Sequence, residues 1–242
     1  MIKLSEETKD IITFAVKYCN LVKIDSLLID KSGIRAKQDL TAVYLIEPGD
    51  FKFLEFDTLY ITRISSLAPR INMFESTKRN YELYVDLKDL ENEDTIVKSL
   101  ILKSKDTEIN FGCSMMPQKS RLPKKVKDPI YFELSSSKSS LDILGKGVSA
   151  MGAETIKLFS ENGTVMGKVK DIESDALIHK FSESYECLTE ETEFNFDYDF
   201  KIILPLLKEA AKDKETFTIE LTRRGIMRLS INDLSMYIFP EA

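Results

Sequence analysis

The sequence predicts an α+β fold of two similar domains, each with helices on one face of antiparallel sheets. One observation is an internal repeat, because IKLSEETKDIITFAVKYC near the start resembles YFELSSSKSSLDILGKGVSAMG near the middle. A second is the order strand, helix, strands, helix, strands, which occurs in each half. A third is the Pro- and Lys-rich stretch MMPQKSRLPKKVKDP, which indicates a connector at 115–129 between domains of residues 1–114 and 130–242.

In the first half, a short strand leads through Ser5 into an amphipathic helix. Ser5 stands where an N-cap hydroxyl accepts a hydrogen bond from the first turn. The runs LLIDKSGIRAKQ and TAVYLIEP then predict strands, and DTLYITRISSLAPR predicts the second helix. The stretch 81–111 predicts further strands that close the domain.

The second half repeats this plan, with Ser135 as the expected N-cap of its first helix. The runs ETIKLFSENGTVMGKVKD and ALIHKFSESYEC predict strands, and DYDFKIILPLLKEAAK predicts the fourth helix. Pro205 lies inside that helix, where it removes an amide donor and either kinks the helix or marks its first turn.

Composition places the chain among soluble proteins with a core in each half, since 43% of its 242 residues are hydrophobic. The opening MIKLSEETKD contains no apolar leader, and no apolar run is long enough to cross a bilayer. Cys19, Cys113 and Cys187 lie far apart and form no C-x-x-C pair. We therefore expect a cytoplasmic location, of the host cell if the protein is viral, and neither disulfides, a metal site nor a membrane partner.

The formal net charge of −6 argues against nucleic-acid binding only if the charge is spread evenly. Acidic residues concentrate in KDLENED, DIESD and LTEETEFNFD, which predict loops. Each predicted helix sets basic or small polar residues opposite its apolar face. Such a distribution favours a sequence-independent surface for the phosphates of double-stranded DNA, although lysine is also common on any solvated helix face. The candidate DNA-facing residues are Lys9, Thr13, Lys17, Arg63, Arg70, Lys138, Lys146, Lys201, Lys208 and Lys212.

Residues for catalysis are sparse, and we expect no enzymatic activity and no cofactor. His179 is the single histidine, and no phosphate loop, dinucleotide fingerprint, nucleophile elbow or zinc-protease string occurs. The carboxylate pairs Glu190 with Glu191 and Asp197 with Asp199 leave open a Mg²⁺-dependent DNA-modifying hydrolase. A two-domain scaffold that binds only proteins is a third reading.

The opening KLSEETKDIITFAV and the repeated element order resemble the PCNA-like sliding clamps, most closely the polymerase processivity factors of T-even-type phages. The resemblance implies a closed homotrimeric ring whose helices line a hole for double-stranded DNA and whose sheets form the outer wall. It also implies a DNA polymerase and a clamp loader as partners, with late-transcription factors as further partners. With basic residues on the helices and acidic residues elsewhere, such a ring could bind DNA although its net charge is negative.

The same resemblance implies head-to-tail contacts between an edge strand of the second domain and the last strand of a neighbour's first domain. Residues 177–185 and a strand within 96–113 are the candidates, and both also fit ordinary edge strands. A partner peptide would dock in an apolar pocket beside the connector and the C-terminus, although Phe239 equally fits the core face of the last strand. The pocket residues would be Leu40, Leu122, Val126, Phe239 and Pro240.

Overall fold

The computed structural model describes residues 1–31, 33–36, 43–46, 54–77, 80–89, 95–114, 128–170, 175–212, 214–231 and 234–241. The chain divides into two compact units, Met1–Gln38 with Leu45–Lys125 and Asp39–Tyr44 with Val126–Ala242. Residues 115–127 of the expected connector lie outside the described residues. No helix among the described residues has the length and apolarity needed to span a membrane.

The first unit contains two helices and a mostly antiparallel sheet. In chain order its elements are β1 (Ile2–Lys3), α1 (Glu6–Leu21), β2 (Ser26–Asp30), β3 (Gly33–Ala36), β5 (Thr58–Thr62), α2 (Ile64–Ser76), β6 (Glu82–Asp89), β7 (Thr95–Lys103) and β8 (Glu108–Gly112). Strand β4 (Val43–Ile46) follows β3 in the chain but belongs to a sheet of the second unit. The strands of the first unit run in the order β1-β6-β7-β5-β2-β3, with β8 also paired to β7. Among the described residues, the one parallel contact joins β5 to β7 at Thr58 and Ile96.

The second unit repeats the plan with two sheets. Its elements are β9 (Ile130–Ser137), α3 (Lys138–Met151), β10 (Thr155–Glu161), β11 (Thr164–Lys170), β12 (Ala176–Lys180), β13 (Ser182–Cys187), β14 (Asn195–Asp199), α4 (Phe200–Ala210), β15 (Thr216–Thr222), β16 (Met227–Ile231) and β17 (Leu234–Ile238). One sheet has the order β12-β11-β10-β14 and the other β13-β9-β15-β16-β17-β4, in which β4 contributes Val43 and Tyr44 to this unit. Strands β9 to β17 pair antiparallel.

Apolar residues at helical spacing turn one side of every helix into the core. In α1 the buried side includes Ile12, Val16 and Cys19, and in α3 it includes Leu141, Leu144 and Val148. Burying these side chains against the strands supplies most of the driving force for the fold. The opposite sides are left to solvent, which fixes where charged helix residues can point.

Both first helices begin at a serine cap. Ser5 Oγ accepts a hydrogen bond from the Thr8 amide at 3.2 Å, as predicted. The second cap is Ser137, which accepts from the Ser140 amide at 3.2 Å, so the prediction of Ser135 is wrong. Ser135 instead lies within β9, paired with both β13 and β15, because the strand continues two residues farther than the sequence pattern indicated.

The predicted second helix over DTLYITRISSLAPR is wrong in its first half. Thr58–Thr62 forms strand β5, in which Leu59 and Ile61 alternate into the core, and the helix begins at Ile64. Arg63 separates them in a left-handed conformation with φ 70°. The fourth helix is similarly shorter than predicted, because Asn195–Asp199 forms β14.

A shared proline strengthens the internal repeat. Pro69 and Pro205 are each the sixth residue of the second helix of their unit. Pro205 is therefore interior to α4 and does not mark its first turn. Each proline removes the amide that would bond to the carbonyl four residues earlier, Ser65 in α2 and Lys201 in α4.

Candidate nucleic-acid interface

The candidate residues of α1 differ in their exposure to solvent. Lys17 is exposed. Lys9 has a side chain only 16% exposed, pairs with Glu6 at 2.8 Å and lies 4.7 Å from the centre of the Tyr81 ring. Thr13 Oγ1 lies 3.2 Å from Tyr81 Oη. Tyr81 therefore gathers Lys9 and Thr13 into one cluster at the side of α1.

The candidate arginines of α2 meet at a second aromatic ring. The Arg63 and Arg70 guanidinium carbons lie 5.1 and 5.6 Å from the centre of the Phe111 ring. Arg63 also donates to the Gly112 carbonyl at 3.1 Å, and Arg70 donates to the Ser66 carbonyl at 2.5 Å. Both side chains are thus held toward the end of β8. Such stacking leaves their charge available while fixing the direction of the guanidinium plane.

The lysines of the second unit are more exposed. Lys138 and Lys146 of α3 and Lys208 of α4 make no side-chain hydrogen bond or ion pair with any residue that the structure describes. Lys201 pairs with Glu154 at 2.6 Å, and this carboxylate raises the pKa of the lysine. Lys212 follows the end of α4 and lies 3.7 Å from Glu209.

Charge is not shared equally between the helices of the two units. On α1 the exposed Glu6, Glu7 and Asp10 offset Lys9 and Lys17, so this helix has no surplus of positive charge. Acidic residues are favourable in the first turn of a helix, which explains Glu6 and Glu7. On α3 and α4 the lysines outnumber the carboxylates Asp142 and Glu209. The positive surplus therefore belongs to the second unit.

The carboxylates considered as Mg²⁺ ligands contact different partners. Glu191 pairs with Arg223 at 2.7 Å and Asp197 with Lys157 at 3.4 Å. Asp199 caps α4 by accepting from the Lys201 amide at 2.8 Å. Within the described ranges, no three His, Cys, Asp or Glu side chains form a group able to hold a metal ion.

The potential nucleophiles lack activation. Burial raises the pKa of the Cys113 thiol to about 12 and raises that of Cys19 as well, so both stay protonated at neutral pH. His179 lies half-exposed on the outermost strand of its sheet, β12. These positions give no support to catalysis by a cysteine.

Strands β8 and β12 are among those that lie at the edges of their sheets. Strand β12 pairs only with β11, and β8 pairs only with β7, among the residues that the structure describes. The candidate range 177–185 covers most of β12 and part of β13, which belong to different sheets. The range 96–113 covers most of β7 and all of β8. Of the expected peptide pocket, Phe239 and Pro240 are half-buried after β17, whereas Leu40, Leu122 and Val126 lie outside the described residues.

The sequence analysis missed three residues that shape these surfaces. Tyr81, directly before β6, contacts Lys9 of α1, and Phe111 of β8 contacts Arg63 and Arg70. Neither position gave a sequence sign of this contact. Lys214 lines an open cleft together with Lys212 and Lys138. It was missed because a helical wheel considers only residues within the helix.

Comparison with known proteins supports the architecture. No family model and no curated protein matches the sequence. Among solved structures, the PCNA2-PCNA3 complex of Sulfolobus tokodaii is similar with a TM-score of 0.60 and 13% identity, over 99% of this chain and 98% of that one. Proliferating cellular nuclear antigen of Entamoeba histolytica is similar with a TM-score of 0.62 and 14% identity, over 95% of each chain. The chain has a PCNA-like clamp fold.

Proposed function

We propose that this protein is a sliding clamp that encircles double-stranded DNA and tethers a DNA polymerase to it without catalysis. The observation that carries the proposal is the PCNA-like fold, which extends over 95–99% of the chain and is not confined to one unit. The lysine surplus of α3 and α4 supports it, since sequence-independent DNA contacts use lysine and arginine on phosphates.

The proposed assembly is a homotrimeric ring. A head-to-tail contact closes into a ring when its rotation permits. Strands β8 and β12 are suited to that contact, because each has a backbone edge with hydrogen-bonding groups that no described strand occupies. Ile178 on β12 is 51% exposed, which gives this edge an apolar side chain to bury.

Retention on DNA in this proposal comes from the closed ring more than from affinity. The DNA-facing residues are those of the four helices, and the second unit supplies most of the charge. Lysines make mobile point contacts with phosphates and read no base, so the ring can slide.

The remaining partners follow from the resemblance to clamps of T-even-type phages and are part of the same proposal. They are a clamp loader that opens the ring, a polymerase that docks a peptide beside Phe239 and Pro240, and late-transcription factors. The site of action is the cytoplasm, that of an infected host if the protein is viral.

Topological retention is the sharpest test. The protein is loaded onto nicked circular DNA by its loader, and the complex is separated from free protein by gel filtration. We expect the protein to stay with the circle and to be released when a restriction enzyme linearises it, because a ring slides off an end. Equal retention on circular and linear DNA would overturn encirclement, and light scattering should give three times the 27.7 kDa mass of the chain.

A charge test separates DNA contact from ring closure. Lys146→Gln with Lys208→Gln should shorten the lifetime of the loaded complex while the trimer mass stays unchanged. Lys105→Gln with Lys170→Gln, at exposed positions outside the helices, is the matched control. A larger loss for the control pair than for the helix pair would contradict the proposed interface.

A further inference from the structure

Arg63, between β5 and α2, adopts a backbone conformation that residues with side chains rarely adopt. Its φ is 70°, in the left-handed region that favours glycine. The side chain does not cap α2, because the Ser65 amide and hydroxyl both donate to Asp25 Oδ1 at 2.9 Å. Such conformations persist where surrounding contacts hold them, and they cluster at functional positions. The Arg63 side chain is therefore available for a contact outside its own helix.

The Arg63 side chain contacts the end of β8. Its guanidinium carbon lies 5.1 Å from the centre of the Phe111 ring, and Nη2 donates to the Gly112 carbonyl at 3.1 Å. Arg70 lies 5.6 Å from the same ring, but it donates to the carbonyl and hydroxyl of Ser66 in its own helix. Arg70 is thus held on α2, whereas Arg63 is held on β8.

The pairing of β8 with β7 places the Gly112 carbonyl on the outer edge of β8. The Cys113 amide donates to the Lys98 carbonyl at 2.8 Å, so these two residues form a hydrogen-bonded pair of the antiparallel ladder. Hydrogen-bonded and non-hydrogen-bonded pairs alternate, and Gly112 stands opposite Ser99 in the next position. The Gly112 carbonyl therefore points away from β7, toward the side on which no described strand pairs with β8.

The position of Arg63 limits how far another strand can pair with β8. The backbone groups of Glu108 and Asn110 lie on the same outer edge, because alternate residues of a strand point to the same side of the ladder. A strand that pairs with them would meet the guanidinium of Arg63 at Gly112, where the acceptor is already occupied. Charged side chains at a sheet edge restrict strand addition in this way.

The last strand of the second unit provides an internal comparison. Strand β17 lies between β16 and β4, so both of its edges are paired. The residue before α4, which corresponds to Arg63, is Asp199 with an ordinary φ of −61°, and its carboxylate accepts from the Lys201 amide. The arginine thus occurs in the repeat whose last strand has an edge without a described strand partner.

We propose that Arg63 determines the register of the subunit contact, because it occupies the Gly112 carbonyl and excludes the end of β8 from pairing with a neighbour's β12. The proposal rests on the proposed clamp function and its contact between β8 and β12. A shift of one residue would turn every side chain of β12 to the opposite face, so shifts of two residues are the competing alternatives. This role differs from a phosphate contact, because it requires the guanidinium to remain on β8.

Disulfide trapping in the full-length protein measures this register. Asn110→Cys is combined with Ala176→Cys, Ile178→Cys or Lys180→Cys, the positions of β12 that are exposed like Asn110. Directly opposed cysteines on adjacent strands suit a disulfide, which denaturing gels without reductant detect as multiples of the chain mass. We expect one of these pairs to dominate when oxidised glutathione is the oxidant.

Arg63→Gly removes the side chain and keeps the left-handed backbone, which glycine adopts freely. We expect cross-linking to spread to the pair two residues away on β12. Arg63→Met, which keeps an unbranched stem but has no donor, should give the same spread. Lys23→Gly is the matched control, because Lys23 is also basic, exposed and at a positive φ of 60°. It should leave the single dominant pair unchanged, and circular dichroism melting shows whether each variant folds.

An unchanged single register in both Arg63 variants would overturn the proposal, as would an equal spread in Lys23→Gly. Absence of every cross-link, in protein that light scattering shows to be assembled, would overturn the β8–β12 contact and the register proposal while leaving the clamp function standing. A spread of register without topological retention on circular DNA would leave the role of Arg63 standing and remove the clamp function. Protein that stays monomeric at every concentration would remove both.

Discussion

Gly147 of α3 lies directly against Leu177 of β12, so that a methyl group on Gly147 would overlap the Leu177 Cδ2 atom. The contact joins a helix of the proposed DNA-facing surface to the strand proposed for subunit contact. Gly145, two residues earlier in α3, faces α4 instead, and a methyl group there would lie 3.6 Å from Leu204 Cδ1. Neighbouring glycines of one helix thus allow close approach to two different partners.

We expect Gly147→Ala to weaken self-association more than folding. The end of the Leu177 side chain is half-exposed and can move, and alanine in a helix is favoured over glycine by roughly 0.8–1.0 kcal/mol, which offsets the crowding. The displaced Leu177 would disturb the edge of β12. Sedimentation over a range of concentrations should show a weaker assembly, with little change in melting temperature.

Gly145→Ala is the matched control for this prediction. Its methyl group meets Leu204 at an ordinary contact distance and keeps the gain in helix propensity. Its melting temperature should be equal or higher and its self-association unchanged. Equal weakening of assembly by both variants would remove β12 from the subunit contact.

The hydrogen bonds of Asp57 are expected to make the stability of the first unit depend on pH. Lys31 donates to Asp57 Oδ1 at 2.5 Å, and the Thr95 amide and hydroxyl each donate to Oδ2 at 2.8 Å. The hydrogen bond from Lys31, followed by those from Thr95, lowers the pKa of Asp57 to about 2 from an ordinary 3.8. Because the folded state holds the ionised form, this contribution is complete above pH 3.8 and is lost as pH falls toward 2.

Asp57→Asn should therefore flatten the dependence of unfolding free energy on pH between about 4 and 2, the interval set by the two pKa values. Thr95→Val, which keeps the backbone donor and removes the hydroxyl, should give an intermediate slope. Urea unfolding at several pH values measures both. An unchanged slope in the asparagine variant would show that Asp57 is not held as described.

The fold was largely predictable because its signals are local. The serine cap and apolar spacing predicted α1, and the same combination predicted α3 with an error of two residues in the cap. The boundary between β5 and α2 was not predictable, because Tyr60, Ile61, Ile64 and Leu67 satisfy a helical spacing while the first two lie on a strand. The break depends on Arg63 at a positive φ, a conformation that sequence signals associate with glycine.

The candidate interface was less predictable, because it depends on contacts between distant segments. A helical wheel placed Lys9 and Lys17 alike in solvent, yet Tyr81 covers Lys9 and leaves Lys17 exposed. It gave Arg63 and Arg70 the same role as the lysines, although both stack on Phe111. Residue type and spacing indicate which side chains face outward. They do not indicate which neighbouring side chains contact them.

Glu55 links the start of α1 to the segment before β5 by hydrogen bonds, and we expect this link to stabilise the fold. Its carboxylate accepts from the Ser5 amide at 2.7 Å and from the Thr8 hydroxyl at 2.8 Å. Burial alone would raise the pKa of Glu55, but the hydrogen bonds from Ser5 and Thr8 outweigh it and the pKa is lowered. Glu55→Ala should lower the free energy of unfolding by about 1–2 kcal/mol, the range for loss of a helix cap.

Glu7→Ala is the control, since Glu7 is an exposed acidic residue of the same first turn. Its effect should stay within about 0.5 kcal/mol, as for most surface substitutions. Urea unfolding of both variants makes the comparison. Similar losses would mean that charge near the helix end matters, and that the bonds to Ser5 and Thr8 do not.

Tyr198 forms a buried hydrogen bond that holds the turn between β15 and β16. The side chain is fully buried in β14, and its hydroxyl donates to the Gly225 carbonyl at 2.6 Å. Tyr198→Phe leaves that acceptor without its donor and should lower the free energy of unfolding by about 1–3 kcal/mol.

Tyr237→Phe is the matched control, because Tyr237 is half-exposed and its hydroxyl has no hydrogen-bond partner among the described residues. Loss of this hydroxyl should change the free energy of unfolding by less than about 0.5 kcal/mol. Equal stability of the two variants in urea unfolding would contradict the assigned hydrogen bond.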